Sequence, residues 1–190
     1  GDEELISRAQ ALDWFDLSGI NKAPARLDLE KMAVTNSHYI AKLEDEAFVK
    51  AALPFLDQKI TQDEYQRLVR GAPQLKDRCK TLKDIEKAAA YLLLKRPFEV
   101  TGKAAKPLKQ EGVLPILSDI QDELSSLKEW SINDIDLKLQ SYADTRQLSF
   151  GKVGPPIRAS VTAGHASPGL AETLYALGKE EVLSRLADRS

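Results

Sequence analysis

VLPILSDIQDELSSLKEWSINDIDLKLQSYADTR, residues 113–146, carries two helical apolar repeats back to back. Leu117, Ile120, Leu124 and Leu127 recur at intervals of three and four, with Asp119, Asp122 and Glu123 between them. That spacing puts the apolar side chains on one face of a helix. Ile132, Ile135, Leu139 and Tyr142 repeat the pattern, and Ser131 stands just before them as an N-cap. The same period extends outward in both directions. It predicts helices near 2–14, 28–42, 44–58, 61–71, 81–95, 113–129, 131–146, 155–163, 168–177 and 179–188. Thr81 caps the run through Ile85, Ala88, Ala89 and Leu92, and Asp84 suits the positive end of that helix. Ser167 as cap, Pro168 at the first helical position and left-handed Gly178 at the end punctuate the next-to-last helix. No alternating run competes, so the fold class is all-α.

The chain has 190 residues, 43% hydrophobic and 29% charged, enough apolar material for a packed core. The net charge of −2 conceals an uneven distribution. Residues 1–69 carry 8 basic and 13 acidic side chains, and residues 110–150 carry 3 and 8. Residues 70–109 carry 11 basic and 4 acidic, a net of +7. Lys76, Arg78, Lys80, Lys83 and Lys87 surround a helix start there, and Lys95, Arg96, Lys103, Lys106 and Lys109 follow. Cations at that density between acidic neighbours point to a polyanion-facing surface; the plain alternative is a solvated face. Phosphate neutralisation supplies affinity, while unpaired RNA bases are read by stacking and edge hydrogen bonds. Arg158 and the Gly/Pro turn at 164–170 offer a guanidinium, backbone amides and small apolar surfaces for that purpose.

Several chemistries are excluded. Cys79 is the sole cysteine, so there is no intrachain disulfide, and with His38 and His165 it makes no structural zinc set. No run approaches the length of a membrane span. The acidic start has neither a methionine nor a signal-peptide pattern, which fits an excised fragment and a cytoplasmic location. His38 sits in a predicted helix and reads as structural. His165 lies in a glycine-flanked turn, a better functional position, but nothing pairs it with a nucleophile. No G-x-x-x-x-G-K or G-x-G-x-x-G loop exists. Taken alone the chain is expected to catalyse nothing and to bind no metal. Proline and glycine in 97–110, without periodicity, mark a connection.

Three ordered groups of residues resemble bacterial glutamyl-tRNA synthetases. The first is Phe15-Asp16-Leu17, Asn21 to Asp28, Lys31-Met32 and Asn36-x-x-Tyr39-Ile40. The second is Arg78-x-x-Thr81-Leu82 followed by Ala88-Ala89-Ala90-Tyr91. The third runs from Gly151-Lys152-Val153 and Pro156-Ile157-Arg158 through Thr162-Ala163-Gly164 and Ser167-Pro168-Gly169-Leu170 to Leu177-Gly178-Lys179-Glu180.

The resemblance covers the whole chain and implies the C-terminal, tRNA-facing part of such an enzyme. The nucleotide-binding catalytic domain, with its H-I-G-H and K-M-S-K-S type motifs, is not represented. ATP and magnesium are implied for a parent enzyme, and no cofactor for this portion. The implied organisation is a stem-contact region at 1–45 and two packed helical anticodon-binding subdomains at 46–100 and 101–190. By resemblance, Ser167, Pro168, Gly169 and Leu170 pack against the first anticodon bases and Arg158 contacts the middle one. Arg78, or its neighbour Lys76, discriminates the third. Lys22 and Arg26 sit on the inner side of the tRNA, and Lys76, Lys80 and Lys83 add backbone contacts. The plain alternatives are that Pro168 and Gly178 bound helices, Leu170 is core and Arg26 is an internal ion-pair partner.

The implied partner is glutamate-accepting tRNA, with glutamine-accepting tRNA as a second, bound by a monomer. Two other readings stand beside this one: a helical protein-interaction module with no nucleic-acid role, and an intact stand-alone enzyme.

Overall fold

A computed structural model describes residues 5–20 and 26–189. Among these there is no strand; the all-α architecture is what the periodicity dictates. Among the described residues ten α-helices follow one another: α1 (Arg8–Trp14), α2 (Leu29–Ala41), α3 (Asp45–Ala52), α4 (Gln62–Lys76), α5 (Ile85–Ala88), α6 (Val113–Ser125), α7 (Ile132–Thr145), α8 (Phe150–Thr162), α9 (Leu170–Leu177) and α10 (Lys179–Ala187).

Helix starts follow local chemistry. Asp28 accepts from the amides of Glu30 and Lys31, both at 3.0 Å, and opens α2. Thr61 and Glu64 form a reciprocal capping box at α4. Ser131 accepts from the Asp134 amide at 3.0 Å, as its position predicts.

One set of buried side chains runs from Ile40 to Leu186, and residues before and after position 100 contribute to it together. Helix α9 lies between α4 and α7, and α10 packs on α6 and α8. The α4 helix runs past the expected end at 71, through Gly71 and Pro73, to Lys76. Tertiary packing explains it: a Cβ on Gly71 would come 3.1 Å from a Leu92 methyl and 3.3 Å from the Ala176 Cβ. The bare backbone there lets α4 approach α9 closely.

Other boundaries also differ from the sequence reading. The expected helix at 81–95 is a 3-10 turn at Leu82–Asp84, the short α5 and a second 3-10 turn at Ala90–Leu92. Its later carbonyls point at side chains instead of continuing a helix. Leu92 O accepts from Arg67 at 3.3 Å, and Tyr91 O from Arg185 at 2.7 Å. The expected 44–58 helix ends at Ala52 in a 3-10 turn containing Pro54. Helix α6 stops at Ser125, and the Ser125 and Ser126 hydroxyls turn back to the carbonyls of Asp122 and Glu123. Helix α8 begins at Phe150, well before the expected 155. Gly178 has the expected positive φ of 86°, but its ψ of 154° is extended and not left-handed helical.

The 5–43 segment is attached differently. Among its described residues Ile40 alone is buried in the core, while Leu12, Phe15, Leu17, Ile20, Leu27, Leu29 and Val34 are exposed. Asn36 Nδ2 donates to Lys80 O at 2.7 Å, and Tyr39 Oη to Ile6 O at 2.8 Å. Asn36 and the buried Ile40 therefore tie α2 to the body, while Tyr39 ties it to the stretch just before α1.

The connection at 97–110 holds 3-10 turns at Gly102–Ala105 and Pro107–Lys109. Phe98 lies under the Arg185 and Arg189 guanidiniums, 5.3 and 4.8 Å from the ring centroid. Arg96 grips Asp188 with two 2.8 Å bonds. That pairing holds the Asp188 carboxyl below its ordinary value of 3.8. A depressed carboxyl stabilises the fold above about pH 4, and the contribution is lost as pH falls through the folded value. The expected result is that Asp188→Asn has a shallower loss of stability between pH 7 and pH 3 than the unsubstituted chain. Denaturant midpoints at the two pH values measure it, and parallel losses would refute it.

Candidate nucleic-acid interface

Arg78, just after α4, and Arg158, in the last turns of α8, converge on the turn before α9. Arg78 Nη2 donates to Ser167 O at 2.7 Å. Arg158 Nη1 donates to Pro168 O at 2.7 Å and to Ser167 Oγ. Three carbonyl or hydroxyl acceptors of a two-residue turn are thus held by two guanidiniums from distant parts of the chain.

This arrangement moves the start of α9. Ser167 and Pro168 were expected as cap and first helical residue; Gly169 is the cap and Leu170 the first helical residue. Ser167 does not cap; its hydroxyl oxygen accepts from Arg158. The Gly169 carbonyl accepts instead from the Thr173 amide at 2.9 Å and its hydroxyl at 2.8 Å. Glu172 lies directly over Gly169: a Cβ there would fall 2.1 Å from a carboxylate oxygen. The carboxylate favours both the positive end of α9 and Arg158.

The electrostatics are concentrated. Burial pushes the Arg158 guanidinium below its ordinary value, Glu172 offsets this, and Arg78 adds to it by repulsion. An arginine stays protonated throughout. The cluster is therefore two fixed guanidinium charges, partly offset by the Glu172 carboxylate, beside a turn with Ser167 and Pro168 half-buried and Gly169 exposed. Leu170 is buried in the core below it.

The cations of 70–109 separate into two groups. Arg70 donates to the carbonyls of Ala176 and Leu177 at the end of α9. Lys76 is taken up by Leu43 O and Asp45, both at 2.8 Å, with its side chain 13% exposed. Lys95 pairs with Glu64 and Arg96 with Asp188. Lys80, Lys83, Lys87, Lys103, Lys106 and Lys109 are exposed and have no ion pair to another described residue. Arg26 is exposed, and Lys22 lies outside the described residues.

His38 meets Tyr39 edge-on at 5.8 Å, and His165 is exposed after the α8 turn. No group of three or more His, Cys, Asp or Glu that would hold a metal occurs among the described residues. Nor is any described helix long and apolar enough to cross a membrane. Cys79 is buried, and burial pushes its thiol up to about 11. Sequence reasoning missed Arg185, which is fully buried and joins α10 to the 90–94 turn and the end of α8.

Residues 47–189 match the family described as the anticodon binding domain. This chain belongs to the anticodon binding domain family. The matched residues contain Arg78, Arg158 and the 167–170 turn. The domain is 39% identical, over all of its length, to glutamate–tRNA ligase 1 of Hyphomonas neptunium, and 37% identical to glutamate–tRNA ligase 2 of Maricaulis maris. It spans about two fifths of those relatives, 39% and 40% of their lengths. A solved glutamate tRNA ligase from Elizabethkingia meningosepticum, in complex with its amino acid, has the same fold as this anticodon-binding domain. The TM-score is 0.79 at 23% identity, covering 98% of this chain and 37% of that one.

Proposed function

We propose that this chain recognises the anticodon arm of glutamate-accepting tRNA as the C-terminal part of a glutamate–tRNA ligase. The observation that carries the reading is the convergence of Arg78 and Arg158 on the Ser167–Pro168 turn. Each guanidinium is held there by one terminal nitrogen, and the rest of the planar donor fork is suited to base edges or phosphate. In this reading Arg158 and residues 167–169 of the turn meet the first two anticodon bases, with Leu170 buried as their support, and Arg78 faces the third. Lys76, committed to Asp45 and Leu43, acts by fixing the end of α4. Arg26 and the exposed Lys80 and Lys83 supply backbone contacts. Glutamine-accepting tRNA is a second partner if the group facing the third base tolerates both anticodons. The chain acts as a monomer in the cytoplasm, and its division at 1–45, 46–100 and 101–190 follows the same reading.

The parent reaction joins glutamate to tRNA at the expense of ATP, with magnesium. The sequence has no glycine-rich phosphate loop, and among the described residues no group of three or more His, Cys, Asp or Glu would hold the metal. Its contribution is to bind and orient the tRNA, and no chemical step is assigned to it.

Titration with tRNA at two salt concentrations tests the surface. Lys80→Ala or Lys83→Ala should weaken binding to every tRNA alike and reduce the salt slope by about one per lysine, the signature of a lost phosphate contact. Salt-independent affinity would overturn it. A specific observation favours a second reading on another face. The exposed apolar side chains of 5–43 suit a protein contact, and a chain that binds no tRNA at either salt would leave the protein-interaction module standing.

A further inference from the structure

Glu172 is the third residue of α9 and half-buried, and its carboxylate leans back over the exposed Gly169. A Cβ on Gly169 would fall 2.1 and 3.0 Å from its two oxygens and 2.8 Å from the carboxyl carbon. The carboxylate thus fills the space a side chain would take at 169. Gly169 has a φ of −50° and a ψ of 157°, which any residue adopts, so it is the carboxylate and not the backbone that uses the bare glycine. The group makes no hydrogen bond or ion pair with another described residue. The helix dipole accounts for an acid in the first turn of α9, but not for one that leans over the turn two arginines hold.

Arg78 and Arg158 grip the carbonyls of consecutive residues, so their heads stand side by side. The Pro168 carbonyl that Arg158 holds belongs to the peptide leading into Gly169, and guanidinium and carboxylate flank that one peptide. Two adjacent guanidiniums with N–H groups to spare bind phosphate as well as a base edge. Every nucleotide of every tRNA presents a phosphate, and one seated on the forks would occupy them without regard to sequence. A carboxylate at the same turn repels that phosphate at close range and does not repel an uncharged base.

We propose that Glu172 is a specificity-determining residue of the anticodon site that acts by exclusion, its carboxylate keeping phosphate off the Arg78 and Arg158 forks so that they are left to a base edge. This rests on the reading of the cluster as an anticodon contact. Exclusion has its own signature: removing the charge strengthens the wrong complexes more than the right one.

The experiment compares Glu172→Gln, which keeps the size and removes the charge, with the unsubstituted chain. Both are titrated at two salt concentrations with glutamate tRNA and with the same tRNA altered at one anticodon base, and thermal unfolding of each is recorded. Affinity for the altered tRNA should rise about tenfold, the size of one added bond to a charged group, and for the cognate tRNA less than about twofold. The salt slope for the altered tRNA should steepen by about one, as for one added phosphate contact. On an Arg158→Ala background the substitution should leave the ratio of the two affinities unchanged. An equal gain for both tRNAs would make the carboxylate one more surface charge and overturn the proposal. A lower melting temperature with an unchanged ratio would assign it to the start of α9 and overturn it too. So would a loss confined to the cognate tRNA, which would make Glu172 an acceptor for the base itself. If the unsubstituted chain does not distinguish the two tRNAs, the anticodon reading falls, and the exclusion role with it.

Discussion

Replacing Arg185 by methionine is expected to lower stability by about 3–5 kcal/mol, the range for removing one partner of a buried charge pair. Arg185 has 0% exposure, yet every side of its guanidinium is engaged. Nε donates to Glu181 Oε1 at 2.7 Å; Nη1 donates to Tyr91 O at 2.7 Å and to Val161 O. Phe98 covers the group from one face. Burial pushes the guanidinium down from its ordinary value, and Glu181 works against that shift.

A methionine keeps most of the volume but strands the carbonyls of Tyr91 and Val161 and frees that of Leu94, held by Nη2 at 3.5 Å; each buried acceptor left unpaired costs about 1–3 kcal/mol. Glu181 retains Arg67 at 2.8 Å, so its charge is not orphaned, and the loss stays short of the sum of the parts. For a chain of this size the melting temperature should drop by roughly 10–15 °C. Arg185→Lys should recover only part of it, because one ammonium cannot reach acceptors on three elements at once. A methionine variant within about 1 kcal/mol of the parent would show that the network breaks even against apolar packing, as buried ion pairs sometimes do.

Arg185 also shows where the sequence was readable and where it was not. Val182 and Leu186 mark the buried face of α10, and position 185 lies on that same face, with Glu181 one turn before it. An arginine on an apolar stripe with an acid at i−4 is a visible signal of a buried pair. What it pairs with beyond Glu181 is not visible, since Tyr91 and Val161 lie 94 and 24 residues away.

The broken 81–95 helix has the same cause. Its propensity and period are helical, but Arg67 and Arg185 capture the carbonyls of Leu92 and Tyr91 from distant helices, and tertiary bonding overrides the local preference. The 132–145 helix was readable because its signals are local: Ser131 caps it and Ile135, Leu139 and Tyr142 bury its face.

The candidate site divides along the same line. Arg78 stands 89 residues from Ser167, and no spacing rule joins them. The family resemblance named both, and the fold brings them within one hydrogen bond. The charge count over 70–109 marked the region but not the individual residues. Four of its cations are committed to partners within the protein, at Arg70, Lys76, Lys95 and Arg96, Arg78 gives one terminal nitrogen to the Ser167 carbonyl, and the exposed lysines are left for a polyanion.

Arg158→Ala is expected to weaken cognate tRNA binding by about 1–3 kcal/mol, about fivefold to 150-fold, and to flatten the preference among anticodons. The substitution removes two things. One is a donor fork that distinguishes base edges by where their acceptors lie. The other is the brace on Ser167 Oγ and Pro168 O, without which the turn before α9 loses the geometry that presents it. Both losses act on specificity, whereas the exposed lysines still attract the backbone of any tRNA.

Arg158→Lys separates the contributions. It keeps the charge and can hold one turn carbonyl, but it has no planar fork, so nonspecific affinity should be retained while discrimination falls. Competition titrations with a cognate tRNA and single-base anticodon variants read the difference. An equal loss for all of them, in both substitutions, would reduce Arg158 to one more phosphate contact and shift the burden of base reading to Arg78 and the exposed surface of Gly169.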